Sequence, residues 1–309
     1  MIEKPVVVGE GTKYPLKALV TLPDNIDESV PAVVFVHGSG SSNMDEQVGK
    51  LTPFRDLAEG LAQHGIASIR YDKRSFSHAR EMMRNLGSSM TVKEETVEDA
   101  ILASEILRQD PQIDPEKIFI VGHSMGGMLA PRIDAEGGNF RGLVIMAGTL
   151  RKLEEVLVGQ NEEVAKEMGG LVRWIVSRQV VKLKKLFTGL YDLSDEEAKA
   201  KKAGGGTTLY YFKEMGQNLM PDYLAGLSKP VLIMQGSEDC QVKADVDFVA
   251  YQELLAGKDN VSFRLYEGLN HCFVPVVYGG LSKASKDYGV ERHIGEEVIE
   301  DVARWILGA

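Results

Sequence analysis

Four apolar residues, Ile118-Phe119-Ile120-Val121, run straight into Gly122-His123-Ser124-Met125-Gly126-Gly127 and then into Met128-Leu129-Ala130. The apolar run reads as a buried strand and the segment beyond the glycines as a helix. The residues between must turn from one to the other so sharply that side chains flanking the serine would strike neighbouring backbone, which is why glycines stand there. A serine on such a turn is pushed into a cleft, at the amino end of a helix whose dipole favours developing negative charge. This arrangement suits acyl transfer, provided a base and an acid join it.

Strand-like and helix-like stretches alternate along the chain, the pattern of a mostly parallel sheet with helices on both faces. Residues 6–8 and 16–22 read as an opening antiparallel hairpin and 33–36 as a strand buried on both faces. The spacing predicts helices over 53–64, 94–109, 245–256 and 295–307, and strands over 66–71, 142–146, 231–234 and 261–266. With 309 residues, 44% hydrophobic and 26% charged, the chain has room for one large α/β domain with an insertion.

Between 150 and 206 the pattern changes. Leu153, Val156, Leu157, Val164, Leu171, Ile175, Val180, Leu183 and Leu186 recur at helical spacing, no strand interrupts them, and Gly204-Gly205-Gly206 ends the stretch with little conformational preference. We read it as an inserted helical cap, leaving 1–149 and 207–309 as the core. Its apolar face serves either packing alone or both packing and a lid over the site, and spacing does not separate the two.

A net charge of -10 argues against a nucleic-acid partner. No segment approaches the roughly 18 to 20 apolar residues of a membrane span. The start, Met1-Ile2-Glu3-Lys4-Pro5, lacks the features of a secretory signal, and Cys240 and Cys272 make no disulfide framework, so the expected compartment is the cytoplasm. No phosphate loop, dinucleotide fingerprint or clustered metal-ligand spacing occurs, and neither cofactor nor metal is expected. Oligomeric state is open, a homo-oligomer included.

A serine hydroxyl needs a base. Of the six histidines, His271 follows a strand and a short turn, which sets it on a loop at the carboxyl edge of the sheet, where open α/β sheets bind ligands. His293 is its rival. His37 is expected to organise its loop, His64 to cap a helix or lie on the surface, His78 to sit in a charged loop, and His123 to point away from the substrate. Asp239, just past the 231–234 strand, is the candidate acid, with Glu238 as competitor. The order Ser124, Asp239, His271 is nucleophile, acid, base. The backbone N–H groups of Met125 and of Ser39, in the loop His37-Gly38-Ser39-Gly40, are the candidate oxyanion donors. Arg70, Asp72, Lys73 and Arg74 either brace the site as an ion-paired loop or meet an acidic substrate.

Taken together, Val36-His37-Gly38-Ser39-Gly40, Arg70-Tyr71-Asp72-Lys73-Arg74, the Ser124 turn, Gln235-Gly236-Ser237-Glu238-Asp239 and Gly268-Leu269-Asn270-His271 resemble bacterial carboxylesterases of the α/β-hydrolase superfamily. The nearest branch is related to dienelactone hydrolases, cinnamoyl esterases and prolyl-oligopeptidase catalytic domains. The resemblance covers most of 10–275 and is weakest in the insertion. It implies an α/β-hydrolase fold and hydrolysis of small to medium carboxylic esters by a Ser124, Asp239 and His271 triad. Ser39 and Met125 would then be the oxyanion donors. A thioesterase or acyl-peptide hydrolase with the same triad is the alternative.

Overall fold

Ile2–Val8 (β1) and Leu16–Leu22 (β2) pair antiparallel, longer in the first strand than the 6–8 expectation. The remaining strands of the sheet are Val30–Val36 (β3), Ala67–Tyr71 (β4), Ile113–His123 (β5), Leu143–Met146 (β6), Val231–Gly236 (β9) and Val261–Tyr266 (β10). A separate two-stranded hairpin is formed by Lys202–Gly204 (β7) and Thr207–Thr208 (β8). In this computed structural model, which describes residues 1–309, the eight-stranded sheet has the order β1-β2-β4-β3-β5-β6-β9-β10. From β4 to β10 every pairing is parallel.

Side-chain alternation along the central strands builds two cores. Ala32, Val34, Ile118, Ile120, Val231 and Ile233 face the helices Glu98–Gln109 and Met125–Ile133. Val33, Phe35, Phe119, Val121, Leu232 and Met234 face the helices Pro53–Gln63 and Glu296–Gly308. Phe54, Leu57, Ala58 and Leu61 are buried on that side, as their spacing predicts. With apolar side chains on both faces, each central strand is a near-continuous hydrophobic run.

The chain leaves β3 through the helix Pro53–Gln63 to β4 on one side, then returns past β3 through Glu98–Gln109 to β5 on the other. The order of strands therefore reverses between β3 and β5. Loops at their carboxyl ends part in opposite directions there and leave a crevice. The loop after β3 begins at His37 and the turn after β5 holds Ser124.

Between β6 and β9 the chain leaves the sheet for the helices Leu153–Glu167, Gly170–Phe187, Asp195–Ala200, Leu209–Gln217 and Met220–Ala225. The first two pack side by side. The glycine stretch at the end of the expected helical run is not featureless. It forms the turn between β7 and β8, with φ of 105°, 59° and 87° at Gly204, Gly205 and Gly206. Residues with side chains rarely tolerate that conformation, so the same composition that reads as a linker here builds a hairpin. The helix expected over 94–109 opens with a wider π-type turn at Lys93–Val97, and that over 245–256 with another at Ala244–Phe248.

Candidate active site

Ser124 adopts φ 53° and ψ -117°, a conformation unusual for a residue with a side chain. Its neighbours permit it. A Cβ at Gly122 would lie 2.3 Å from the Gly126 carbonyl oxygen, and one at Gly126 would lie 2.0 Å from the Val36 carbonyl oxygen. Only glycine at both positions lets β5, the elbow helix and the end of β3 approach so closely. The Ser124 N–H donates to Met146 O at 2.8 Å and its carbonyl accepts from Met128 N at 3.1 Å, which anchors the turn to β6 and to its own helix.

Asp239 and His271 meet from different strand ends. β9 ends at Gly236, where a Cβ would lie 2.3 Å from Leu269 O, so the strand end and the His271 loop touch through backbone. The Asp239 carboxylate accepts from Gln235 Nε2 at 2.8 Å and from the N–H groups of Gln241 and Val242 at 2.8 and 3.0 Å. Its Oδ2 stands 2.6 Å from His271 Nδ1. A carboxylate at that nitrogen holds the proton there and leaves the Nε2 lone pair free. The His271 loop is stiffened by Asn270, whose Oδ1 accepts from Cys272 N and whose Nδ2 donates to Asp287. Glu238, the competing acid, is exposed. His293 is held at the surface by Asp56.

Ser124 and His271 line one cavity of about 250 Å³ together with Gly38, Ser39, His123, Gln241, Cys272 and Tyr288. The β3 loop lies against the serine, since a Cβ at Gly38 would be 3.2 Å from Ser124 Cβ. Both ends of that loop's peptide are held: Gly38 N–H donates to Glu46 Oε1 at 2.6 Å, and Gly38 O accepts from Lys73 Nζ at 2.9 Å. The next N–H, that of Ser39, makes no hydrogen bond within the protein. The N–H of Met125, at the first turn of its helix, has no intrahelical acceptor. Two free donors thus flank the serine.

Of the two readings of the Arg70–Arg74 segment, the bracing one is what the structure contains. Arg70 bonds Asp45, Thr21 and Glu3, Asp72 accepts from Met44 N, and Arg74 pairs with Asp99 and Glu98. Buried Lys73 reaches Gly38 O and stands 3.4 Å from Glu95. These cations are spoken for. His37 organises its loop, as expected, through Asn43 O at 3.0 Å, and burial lowers its pKa to about 4. His64 caps its helix and is exposed, while His78 bonds Glu81 and Pro15 O. Both cysteines are free; burial raises the Cys240 thiol to about 12 and the Cys272 thiol well above its ordinary value.

One expectation is corrected. His123 does not point away from the site: it lines the Ser124 cavity, and its ring centroid is 4.7 Å from that of His271. Its partner, Glu46, carries no signal in the sequence beyond sitting in a polar run. The loop after β3 folds back and buries Glu46 to 4% exposure at φ 51°. Burial alone would lower the His123 pKa, but Glu46 beside it reverses the sign and the value is raised.

A second, larger cavity of about 370 Å³ shares Ser39 and Ser41 with the first. Met82, Met83, Met90, Met125, Leu153, Leu157 and Phe212 give it a mostly apolar wall. Glu95 also lines it, with Tyr211 donating to the carboxylate at 2.5 Å.

The architecture recurs in solved structures. Est1E from Butyrivibrio proteoclasticus has a TM-score of 0.57 at 18% identity, with 98% of each chain covered. The Pyrococcus furiosus esterase Pf2001 has a TM-score of 0.58 at 17% identity, over 99% of this chain and 91% of that one. A dienelactone hydrolase from Anabaena variabilis gives 0.52 at 17% identity, over 99% and 97%. The fold is that of the α/β-hydrolases. Residues 27–274 match the Hydrolase_4 family, described as serine aminopeptidase, S33, and the chain belongs to it. It is also 30% identical over 279 residues to esterase EstD of Thermotoga maritima, covering 90% of this chain but 62% of that relative's length.

Proposed function

We propose that the protein is a serine carboxylesterase acting on small to medium esters through an acyl-enzyme on Ser124. The contact that carries this reading is His271 Nδ1 to Asp239 Oδ2 at 2.6 Å, on a histidine that shares its cavity with Ser124. The relatives and solved neighbours named as esterases support it.

In this reading His271 Nε2 takes the Ser124 hydroxyl proton as Oγ bonds to the ester carbonyl carbon. The carbonyl oxygen becomes an oxyanion and accepts from the N–H groups of Ser39 and Met125, each worth on the order of 3 kcal/mol in such sites. Asp239 holds the imidazolium that has formed. Collapse breaks the carbon–oxygen bond to the alcohol, which leaves with the proton from His271. Water, deprotonated by the same histidine, then attacks the acyl-enzyme and releases the acid. The apolar cavity beside Ser39 takes the larger substituent, and the stretch 150–206 acts as a cap that supplies Leu153 and Leu157 to its wall. The two free cysteines agree with a reducing cytoplasm.

The same atoms would cleave a thioester or an acyl peptide, and the family's description as an aminopeptidase keeps the amide in view. Matched ester, thioester and amide substrates of one acyl group separate these. Ser124→Ala should lower kcat by about 10³-fold or more and abolish labelling by a fluorophosphonate. Retention of most turnover by that variant overturns the assignment.

A further inference from the structure

The helix Gly170–Phe187 is eighteen residues long, and Val180 alone among them is buried. Leu171 is 71% exposed, Trp174 54% and Val181 53%, with Val172 and Ile175 also exposed. Its sequence holds Arg173, Arg178, Lys182, Lys184 and Lys185 and no acidic residue, in a chain whose net charge is -10. Lys184 pairs with Glu162, whereas Arg173, Arg178, Lys182 and Lys185 have no carboxylate within ion-pair reach.

Leu171, Trp174, Ile175, Arg178, Val181, Lys182 and Lys185 recur at steps of three and four and so share one side of the helix. Val176, Val180, Leu183 and Phe187 occupy the opposite side and are the less exposed set. The Arg178 guanidinium sits 4.7 Å from the Trp174 ring centroid. The outer side is therefore apolar toward its amino end, cationic toward its carboxyl end, and joined in the middle by an arginine over an indole.

We propose that this outer side is a peripheral docking surface for an anionic lipid bilayer. Such a bilayer is the occupant whose chemistry meets both halves of the face. Headgroup phosphates pair with the unmatched cations, while Leu171, Trp174 and Ile175 enter the boundary between headgroups and acyl chains, where indole rings are favoured. A nucleic acid would satisfy the cations and leave the apolar residues in water. A second copy placed antiparallel on the same face would set its cationic half against the apolar half and leave the cations without anionic partners. With a net charge of -10 on the chain, attraction to such a bilayer has to come from a local cation-rich face such as this one. The neighbouring helix Leu153–Glu167 lines the larger cavity through Leu153 and Leu157, so the docking side is the outside of the layer that walls that cavity. The inference stands independently of the catalytic reading.

The chain has two tryptophans, so Trp305→Phe leaves Trp174 as the sole indole. That protein should co-sediment with phosphatidylcholine–phosphatidylglycerol vesicles, with Trp174 emission shifted to shorter wavelength, and should do neither with phosphatidylcholine alone. Raising the salt should release it. Arg178→Gln, Lys182→Gln and Lys185→Gln combined should weaken partitioning by about tenfold or more. All three side chains are exposed, and circular dichroism reads whether the fold is kept. Unchanged emission with all protein in the supernatant overturns the proposal, as does equal binding to neutral vesicles. An emission shift that follows protein concentration without vesicles overturns it too, because a second copy then covers the face.

Discussion

Glu46 Oε2 lies 3.0 Å from His123 Nδ1, while Nε2 of the same ring donates to the carbonyl of His271 at 2.8 Å. Glu46 beside the ring raises the His123 pKa against the effect of burial, and His123 in turn lowers that of Glu46, so each favours the charged form of the other, imidazolium against carboxylate. The approach of Oε2 to Nδ1 is bent, more an ion pair than a straight hydrogen bond. With Glu46 Oε1 accepting from Gly38 N–H, this pair ties the β3 loop, the serine turn and the His271 loop together. His37 and Asp239 also contribute to the field around it.

Glu46→Gln should therefore destabilise the fold by about 3 kcal/mol, the scale for removing one partner of a buried ion pair. The effect should depend on pH. Burial would raise the Glu46 carboxyl, but His123 overrides it and the folded value is lowered, so its contribution is present above the ordinary carboxylate pKa of 4.5 and is lost as pH falls through the depressed one. The folded His123 value is raised, so its contribution is present below the ordinary 6.5 and is lost as pH rises through the elevated one. Denaturant unfolding of both proteins across pH should show the largest difference between these two ordinary values. A difference that stays constant into alkaline solution contradicts the ion pair.

Asp239→Asn should leave the fold intact and lower kcat by as much as about 10⁴-fold with KM little changed. An amide at that position lets His271 take the tautomer whose Nε2 already holds a proton. Steady-state kinetics on a p-nitrophenyl ester measures this. A variant within a factor of a few of wild type removes Asp239 from the proposed triad.

Leu157→Trp extends an indole from the helix Leu153–Glu167 into the 370 Å³ cavity. Turnover of p-nitrophenyl acetate should change little, whereas kcat/KM for long-chain esters should fall by about tenfold or more, the scale at which a pocket discriminates one or two methylenes. Equal loss across chain lengths would mean that the cavity does not hold the substituent that varies.

Much of the sheet was legible from the order of residues. β-branched runs over 33–36, 118–121 and 231–234 become strands because burial on both faces demands apolar side chains at every position. The serine turn was legible for a local reason: two glycines are the sole residues that fit against the backbone of Val36 and Gly126. Glu46 was not, because a glutamate among Asn43, Asp45 and Gln47 looks like any solvated loop residue. The direction of His123 is not legible in the sequence because it depends on a loop 148 residues away. The β7–β8 hairpin was missed because glycine composition signals freedom without saying which turn will use it.

Local chemistry along the chain determined where strands break into turns, which serine stands on the sharpest of them, and which stretch departs from the alternating pattern. Tertiary structure decided the meetings: Asp239 with His271, Glu46 with His123, Lys73 with Gly38. The reason is physical. A turn or strand depends on neighbours a few residues away, whereas these contacts form only after the crossovers about β3 have set the strand order and brought separate loops to one crevice.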